Sequence, residues 1–506
     1  MVDRLSGLFS PSDASKALSI TTSFSGIAAP EMGLRMLAHY VGKKTSKPTH
    51  FTVQGAVDWN EHSRAELLWN PSCMRPQHIW VDQNEFINDF IRGTVLAKAS
   101  AGASMETLWE FVTAPNVVGA TAECQVCGGH CAMMQSSFHC AGSPCIDYST
   151  IPGALQQRDC GSTLLPTLVW AALCRQLGHH IIIHENVESF PVSMLEFMFQ
   201  DLYMIMTAIL NLVALGFPCR RRRRITIMIH KKVVRLPTAF WSDAWIQRYH
   251  RQLAISFRKF LFATSQELEK ELAWARKRTN LGKDSDKYTN APDIQRSRFV
   301  QVLTLWEIEN LRKYRKRWPG CAYMLGQDAI KAPARSDRLA MMCETKSQDL
   351  IFSDEDERWL VPKELLVFQG WPLYEPLKEV IDISCCFDED RPGRKPDRMH
   401  EQAGNSIPLP MTTLALLYCL VETDVGATEE TPMASLLHAA LAAAVLGQPS
   451  SSASSAAPPS CSSTSTAGSS AMSTAASSST SVPTEASGPR RKRPRTLREA
   501  LSGESP

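Results

Sequence analysis

Apolar positions in the first 425 residues alternate between two spacings. Leu18 to Phe24 is a short β-leaning run that ends in a turn of small residues, and Pro30 to His39 then spaces its apolar side chains as a helix. Thr52 to Val57 and His78 to Val81 predict two more short strands. Leu164 to Leu177 predicts a helix that leads into an apolar, β-branched strand, His180 to His184. Asp201 to Leu215 reads as helical, and Ile225 to Ile229 again as a strand. The longest apolar stretch, Leu202 to Pro218, carries Thr207, Asn211 and Gly216, so it suits a buried helix and its exit better than a membrane span. Repeated strand–helix alternation predicts an α/β fold with a doubly wound, mostly parallel sheet. Ligands of such sheets lie at the carboxyl ends of the strands.

Composition changes this picture only at the far end. From Pro449 to Gly488, 30 of the 40 residues are Ser, Thr or Ala, with no aromatic, which predicts a disordered segment. Thr431 to Gly447 before it is Ala/Leu-rich and capped like a short helix, with Thr431 as N-cap and Pro432 at the first position. Pro489-Arg-Arg-Lys-Arg-Pro-Arg495 after it is a compact basic run of nuclear-import type. An import receptor is therefore an expected partner at residues 489–495, and the nucleus the expected location. The net charge of +3 joins a tail of +4 to a body of −1, and within that body residues 231–335 carry 22 Lys/Arg against 10 Asp/Glu. So local an excess predicts contact with a polyanion, although Gln266 to Arg278 also reads as an ordinary charged amphipathic helix. Fifteen cysteines in 506 residues are too few for a disulfide scaffold, and no signal-peptide pattern opens the sequence. Reduced thiols and no membrane partner are expected; the oligomeric state is not legible.

Chemistry gathers at the predicted strand ends. Phe24-Ser-Gly-Ile-Ala-Ala-Pro-Glu-Met-Gly33 is a strand, a small-residue turn and a helix, a way to bring a nucleotide-like ligand against backbone amides. Asp58 ends the next strand and suits paired ribose hydroxyls, with Trp59 beside it to pack on a base. Asp82 ends a third strand and suits an adenine amino group. Either Asp alone is more often a turn or cap residue. Gly142-Ser-Pro-Cys-Ile-Asp-Tyr-Ser149 holds a thiol, Cys145, in a rigid strand-end loop, and His184-Glu185-Asn186-Val187 ends a buried strand with a carboxyl group suited to proton donation.

Pro144-Cys145, forty residues ahead of Glu185-Asn186-Val187 and downstream of the small-residue turn, resembles the cytosine-5 DNA methyltransferase family. Gly216-Phe-Pro-Cys-Arg-Arg-Arg-Arg-Arg224 is similar to the family's Gly-x-Pro-Gln-x-Arg-x-Arg motif, with Arg221 and Arg223 in the Arg positions. Pro362-Lys-Glu-Leu-Leu-Val-Phe-Gln-Gly-Trp-Pro372 resembles its Arg-Glu…Gln-Gly-Phe-Pro element, and Gln402-Ala-Gly-Asn-Ser-Ile-Pro408 its last motif. The motifs fall in the family's order over residues 17–425.

The resemblance implies a class I, Rossmann-like domain dependent on S-adenosylmethionine, a smaller target-recognition domain, and double-stranded DNA as partner. It divides the chain into an N-terminal extension (1–16), a catalytic domain (17–230), a target-recognition region (231–358), a return to the catalytic domain (359–425) and a tail (426–506). By resemblance, Cys145 attacks carbon 6 of a flipped-out cytosine, Glu185 serves ring nitrogen 3, Arg223, less directly Arg221, holds the carbonyl oxygen, and Asn186 belongs to the same catalytic set. Phe24, Gly26 and Pro144 line the cofactor, Asp58 takes its ribose, Trp59 and Asp82 its adenine, and Asn405-Ser406 closes the site. The tryptophans of the basic region, Trp241, Trp245, Trp274, Trp306 and Trp318, are for the most part expected in hydrophobic core. Two further expectations use the same parts: a weakened, regulatory DNA-binding protein, and a transfer-RNA cytosine-5 methyltransferase.

Departures from the family pattern are Ala28 and Ala29 for glycines, Ile146 for Gln, Cys219 for Gln and Trp371 for Phe. An insert ahead of the nucleophile, Cys124-x2-Cys127-x3-Cys131-x8-Cys140 with His130 and His139 nearby, lacks a second Cys-x-x-Cys. Free loop cysteines and no metal are the expectation for it.

Overall fold

The computed structural model describes residues 2–10, 17–145, 148, 164–235, 237–279, 297–331, 333–337, 339–342, 350–373 and 396–425. The expected tail, with its helix at 431–447 and basic run at 489–495, and Ile146 lie outside these residues.

Nine strands form one sheet: β1 (Ser19–Ser23), β2 (Thr52–Val57), β3 (His78–Trp80), β4 (Thr121–Cys124), β5 (Gly129–Ala132), β6 (Phe138–Ala141), β7 (Ile181–Asn186), β8 (Tyr203–Asn211) and β9 (Arg222–His230). Their spatial order is β5-β4-β3-β2-β1-β6-β7-β9-β8. β3, β2, β1, β6 and β7 are parallel neighbours, with register Ser23↔Val57 on one side of β1 and Ser23↔Ala141 on the other. β9 runs antiparallel to both β7 and β8. The chain reverses direction across β1, from β2 and β3 on one side to β6 and β7 on the other, which opens a crevice at the carboxyl ends of these strands. The doubly wound, mostly parallel α/β sheet expected from the sequence is present.

Helices cover both faces. Ile20, Ile181 and Ile183 on one face pack with Leu34, Ala38 and Val41 of the helix Ala29–Thr45 and with the helix Leu409–Glu422. Ile182, Met228 and Val57 on the other pack with Leu168, Trp170 and Leu173 of the helix Leu164–Leu177. β7 is apolar on both faces because both are covered, which is why it reads as an unbroken isoleucine run.

One element differs from expectation. Residues 203–211 are a strand at the sheet edge, followed by a single 3-10 turn, Leu212–Ala214. Ile205, Thr207 and Ile209 carry the period of two, but Met204, Met206, Ala208 and Leu210 between them are also apolar, so the alternation is masked. Pairing along the whole of β9 decides the conformation in favour of strand.

Residues beyond β9 build another core from Leu272, Phe299, Leu311, Tyr314, Tyr323, Phe352 and Trp359, around a three-stranded antiparallel sheet of Ala322–Met324, Ile351–Ser353 and Arg358–Trp359. Trp241 and Trp245 are buried, while Trp306 is exposed. Several cations of this basic stretch are spent internally. Arg258 pairs with Glu355 and Asp356, and Arg315 with Asp354 and Glu357. An acidic run just past residue 335 thus offsets part of the local excess. Among the described residues no single helix is long and apolar enough to cross a membrane.

Candidate active site

Three loops meet at the carboxyl ends of β1, β6 and β7. The first bends through left-handed backbone at Phe24, Gly26 and Ala28, with φ of 55°, 55° and 72°. Ala28 is the N-cap of the helix Ala29–Thr45 and has no side chain to cap with. The Gly26 amide donates to Asp58 Oδ2 at 2.7 Å and the Asn60 amide to Oδ1 at 2.8 Å, so the first two strand ends are joined through this carboxylate. Burial pushes the Asp58 carboxyl up to about 6, against the pull of these two amides and Arg64. Arg64 also holds the Asp58 and Trp59 carbonyls, leaving the Trp59 ring 63% exposed beside the loop. At the third strand end Asp82 accepts from the Asn84 amide at 3.0 Å and caps the turn Gln83–Phe86.

Behind the first loop lies Glu31, fully buried, which the sequence did not mark. Its Oε1 accepts from Thr22 at 2.7 Å and burial pushes its carboxyl up to about 7.

The second loop, Gly142-Ser-Pro-Cys145, is fastened from β7. Asn186 Nδ2 donates to both the carbonyl and the hydroxyl of Ser143 at 3.0 Å, and His184 Nε2 lies 2.8 Å from the same hydroxyl. Pro144 and Cys145 are half-buried at its end. The Tyr148 amide donates to the Cys145 carbonyl, and Ser189 Oγ to the Tyr148 carbonyl, which ties the far side of the thiol to the segment after β7. Asn186 and His184 are therefore positioning residues for the loop that bears Cys145.

Glu185 points into the crevice from the same strand and pairs with Arg223 of β9, Oε1 to Nε at 2.9 Å, both side chains about one-seventh exposed. The five arginines from 220 to 224 divide by partner, with Arg224 donating to the Glu188 carbonyl. Arg223 turns to Glu185, whereas Arg222 pairs with Glu188 and Arg220 with Asp337. Arg221 is buried and donates to the carbonyls of Gly404 and Ser406 at 3.0 and 2.9 Å. It thus grips the last motif. The Cys219 thiol donates to the Met342 carbonyl at 3.8 Å, and the Arg220 amide beside it donates to the Met341 carbonyl at 2.9 Å.

The third loop is that last motif. Gln369 Nε2 donates to the Ala403 carbonyl at 2.7 Å and Trp371 Nε1 to Ser406 Oγ at 3.1 Å, so the segment Gln369-Gly-Trp-Pro372 clamps residues 403–406. Gly370 has φ 87°, and a Cβ there would stand 2.4 Å from Pro410, so only glycine makes this turn. A Cβ on Gly142 would meet Ile407 at 3.2 Å and Glu185 Oε2 at 3.4 Å; its absence lets residue 407 close onto the loop of Cys145. Asn405 is exposed beside buried Ser406.

The structure thus brings Cys145, Asn186, Glu185, Arg223 and Ser406 to one end of the sheet, with Phe24, Gly26, Asp58 and Trp59 on the neighbouring strands. Sequence reasoning missed the roles of Ser143 and His184, although both stand within the quoted motifs.

Among solved structures the chain is similar to one assigned as a DNA modification methyltransferase encoded within a prophage (E. coli), at 13% identity and a TM-score of 0.41, over 83% of this chain and 100% of that one. It is also similar to the Dnmt2 methyltransferase of S. pombe, at 12% and 0.40, over 79% of this chain and 98% of that one. A third similarity is to the methyltransferase EhMeth of Entamoeba histolytica, at 13% and 0.40, over 79% and 97%. No protein-family model and no curated protein matches the chain. The strand order itself defines a Rossmann-like α/β sheet whose last two strands form a reversed hairpin.

Proposed function

We propose that this chain is a DNA (cytosine-5-)-methyltransferase of the nucleus, with S-adenosylmethionine as cofactor. The observation that carries the reading is the junction of Glu185, paired to Arg223, with the Ser143-to-Cys145 loop that Asn186 fastens from the same strand. The first strand ends fit the cofactor. Gly26 has open space above its Cα, Asp58 retains lone pairs for two hydroxyls beside its amide contacts, and the Trp59 ring is exposed to solvent.

Cytosine carbon 5 is a weak nucleophile, and the residues here suit covalent activation. With the base flipped out of the duplex, the Cys145 thiolate adds to carbon 6. Glu185 donates to ring nitrogen 3, so the electron pair displaced from the 5,6 double bond concentrates at carbon 5. Arg223 holds Glu185 in line and offers N–H groups to the carbonyl oxygen. When bound, the cofactor supplies an electrophilic methyl group to that carbon. Loss of the carbon-5 proton and expulsion of the Cys145 thiolate then restore the aromatic ring.

Incubation with cofactor and duplex DNA carrying 5-fluorocytosine tests this, because fluorine blocks the final elimination. A covalent adduct is expected with the natural chain and none with Cys145→Ser. An equal adduct in both, or none in either, refutes the reading, and a tritiated-methyl assay on duplex DNA against transfer RNA separates the two substrates. Nuclear import through residues 489–495 is tested by exclusion of a variant with those basic residues replaced by Ala.

A further inference from the structure

The insert that precedes β6 takes no part in the site above. Its strands β4 and β5 form a hairpin whose turn, residues 125–128, closes by a bond from the Gly128 amide to the Cys124 carbonyl at 2.9 Å. Cys124 ends β4, Cys127 stands in the turn, and Cys131 lies in β5. The structure adds a fourth group that the spacing of the cysteines does not reveal: His78, the first residue of β3, the adjacent strand.

The ligating atoms of His78, Cys124, Cys127 and Cys131 all lie within 4.8 Å of one another. His78 Nδ1 is 3.7 Å from Cys124 Sγ and 3.5 Å from Cys127 Sγ. Tetrahedral zinc with Zn–S of about 2.3 Å and Zn–N of about 2.0–2.1 Å sets sulfur and nitrogen ligands roughly 3.6 Å apart. The Trp80 ring stacks on His78 at 5.8 Å and fixes its plane. All these cysteines are free thiols. Cys140 is apart from them, buried in β6.

We propose that His78, Cys124, Cys127 and Cys131 bind one zinc ion as a structural site. Four protein ligands close the coordination sphere, so no position is left for a substrate. Binding replaces thiol protons by metal, with up to three protons released per ion. The ion would reinforce a weak seam, since β4 meets β3 through a single residue pair, Trp80↔Cys124, and β4 and β5 are four residues each. Bridging His78 to the hairpin secures that edge of the sheet, four residues ahead of Asp82 on the same segment.

A second cluster, His139, Cys174 and His179, is of a different kind. His139 accepts from Trp170 Nε1 at 2.8 Å and its other nitrogen is 2.8 Å from Thr21 Oγ1, while His179 Nδ1 accepts from the Ser136 amide. These are hydrogen-bonded core histidines, and they set the expected stoichiometry at one zinc rather than two.

The full chain, purified without chelator and desalted after incubation with zinc, is expected to hold about one zinc per chain by elemental analysis. Cobalt(II) in its place is expected to give the visible bands of a tetrahedral thiolate site. Cys127→Ser and His78→Gln should each remove most of the metal, and Cys140→Ser and Cys174→Ser should retain it. Zinc well below about one-tenth per chain, or content unchanged in both Cys127→Ser and His78→Gln, overturns the site. Where those variants are insoluble, the cobalt spectrum of the natural chain decides alone, and its absence overturns the site equally.

Discussion

Glu185 and Arg223 form their 2.9 Å ion pair on a diagonal. Across β7 and β9, Glu185 is directly opposite Ile225, and Arg223 lies two residues further along the same face. Arg223 Nη1 also donates to the Arg222 carbonyl at 2.8 Å, so a second bond fixes the guanidinium beside Glu185. Under the proposed mechanism Arg223→Ala should lower kcat by about a hundredfold or more, in the range of a lost oxyanion donor. Arg223→Lys should recover part of it, and single-turnover rates measure both. Retention of full turnover in Arg223→Ala would remove this residue from the chemistry.

Arg221 is expected to behave differently. Its two carbonyl contacts are buried, and charged hydrogen bonds of that kind contribute about 1.5–3 kcal/mol each. Arg221→Met should therefore lower the unfolding free energy by about 3 kcal/mol in urea titrations. A variant of natural stability with impaired turnover would instead place Arg221 at the base.

Ala28 holds φ of 72° with a Cβ present. A left-handed residue other than glycine costs roughly 1 kcal/mol, so Ala28→Gly should stabilise the chain by up to about that amount despite the greater freedom of its unfolded state. Thermal unfolding measures it, and a fall in Tm contradicts the argument.

Glu31 gives a pH signature. Its folded carboxyl is at about 7 against 4.5 unfolded, so the folded state holds the proton more tightly. Its contribution is fully present below about pH 4.5 and is lost as pH rises towards 7 and beyond, on the order of 3 kcal/mol across that window. Urea midpoints for the natural chain and Glu31→Gln, taken at about pH 5 and pH 8, should show a smaller decline in the variant. Parallel pH profiles would assign the dependence to other groups, Asp58 foremost.

Four of the five parallel strands, β1, β2, β3 and β7, were legible as short β-leaning runs, whereas β6, only four residues long with His139 and Cys140 at its centre, was not. The edge strand β8 was not, because Met and Ala between its β-branched residues imitate a helix. The crevice residues Cys145, Glu185 and Arg223 were legible by their motifs, yet the division of labour between Arg221 and Arg223 was not. Arg221 acquires its role from carbonyls more than 180 residues away. His78 was hidden for a similar reason. It stands 46 residues ahead of Cys124, and only the pairing of β3 with β4 brings the two together.

The close approach of Gly142, Glu185 and Ile407 has a consequence in time. During synthesis the loop of Cys145 leaves the ribosome long before residue 407 exists, and Arg221 waits for carbonyls not yet translated. The crevice is therefore completed last, by a segment that must travel back across the finished sheet. Chains released early lack both the residue that packs against Gly142 and the carbonyls that Arg221 grips.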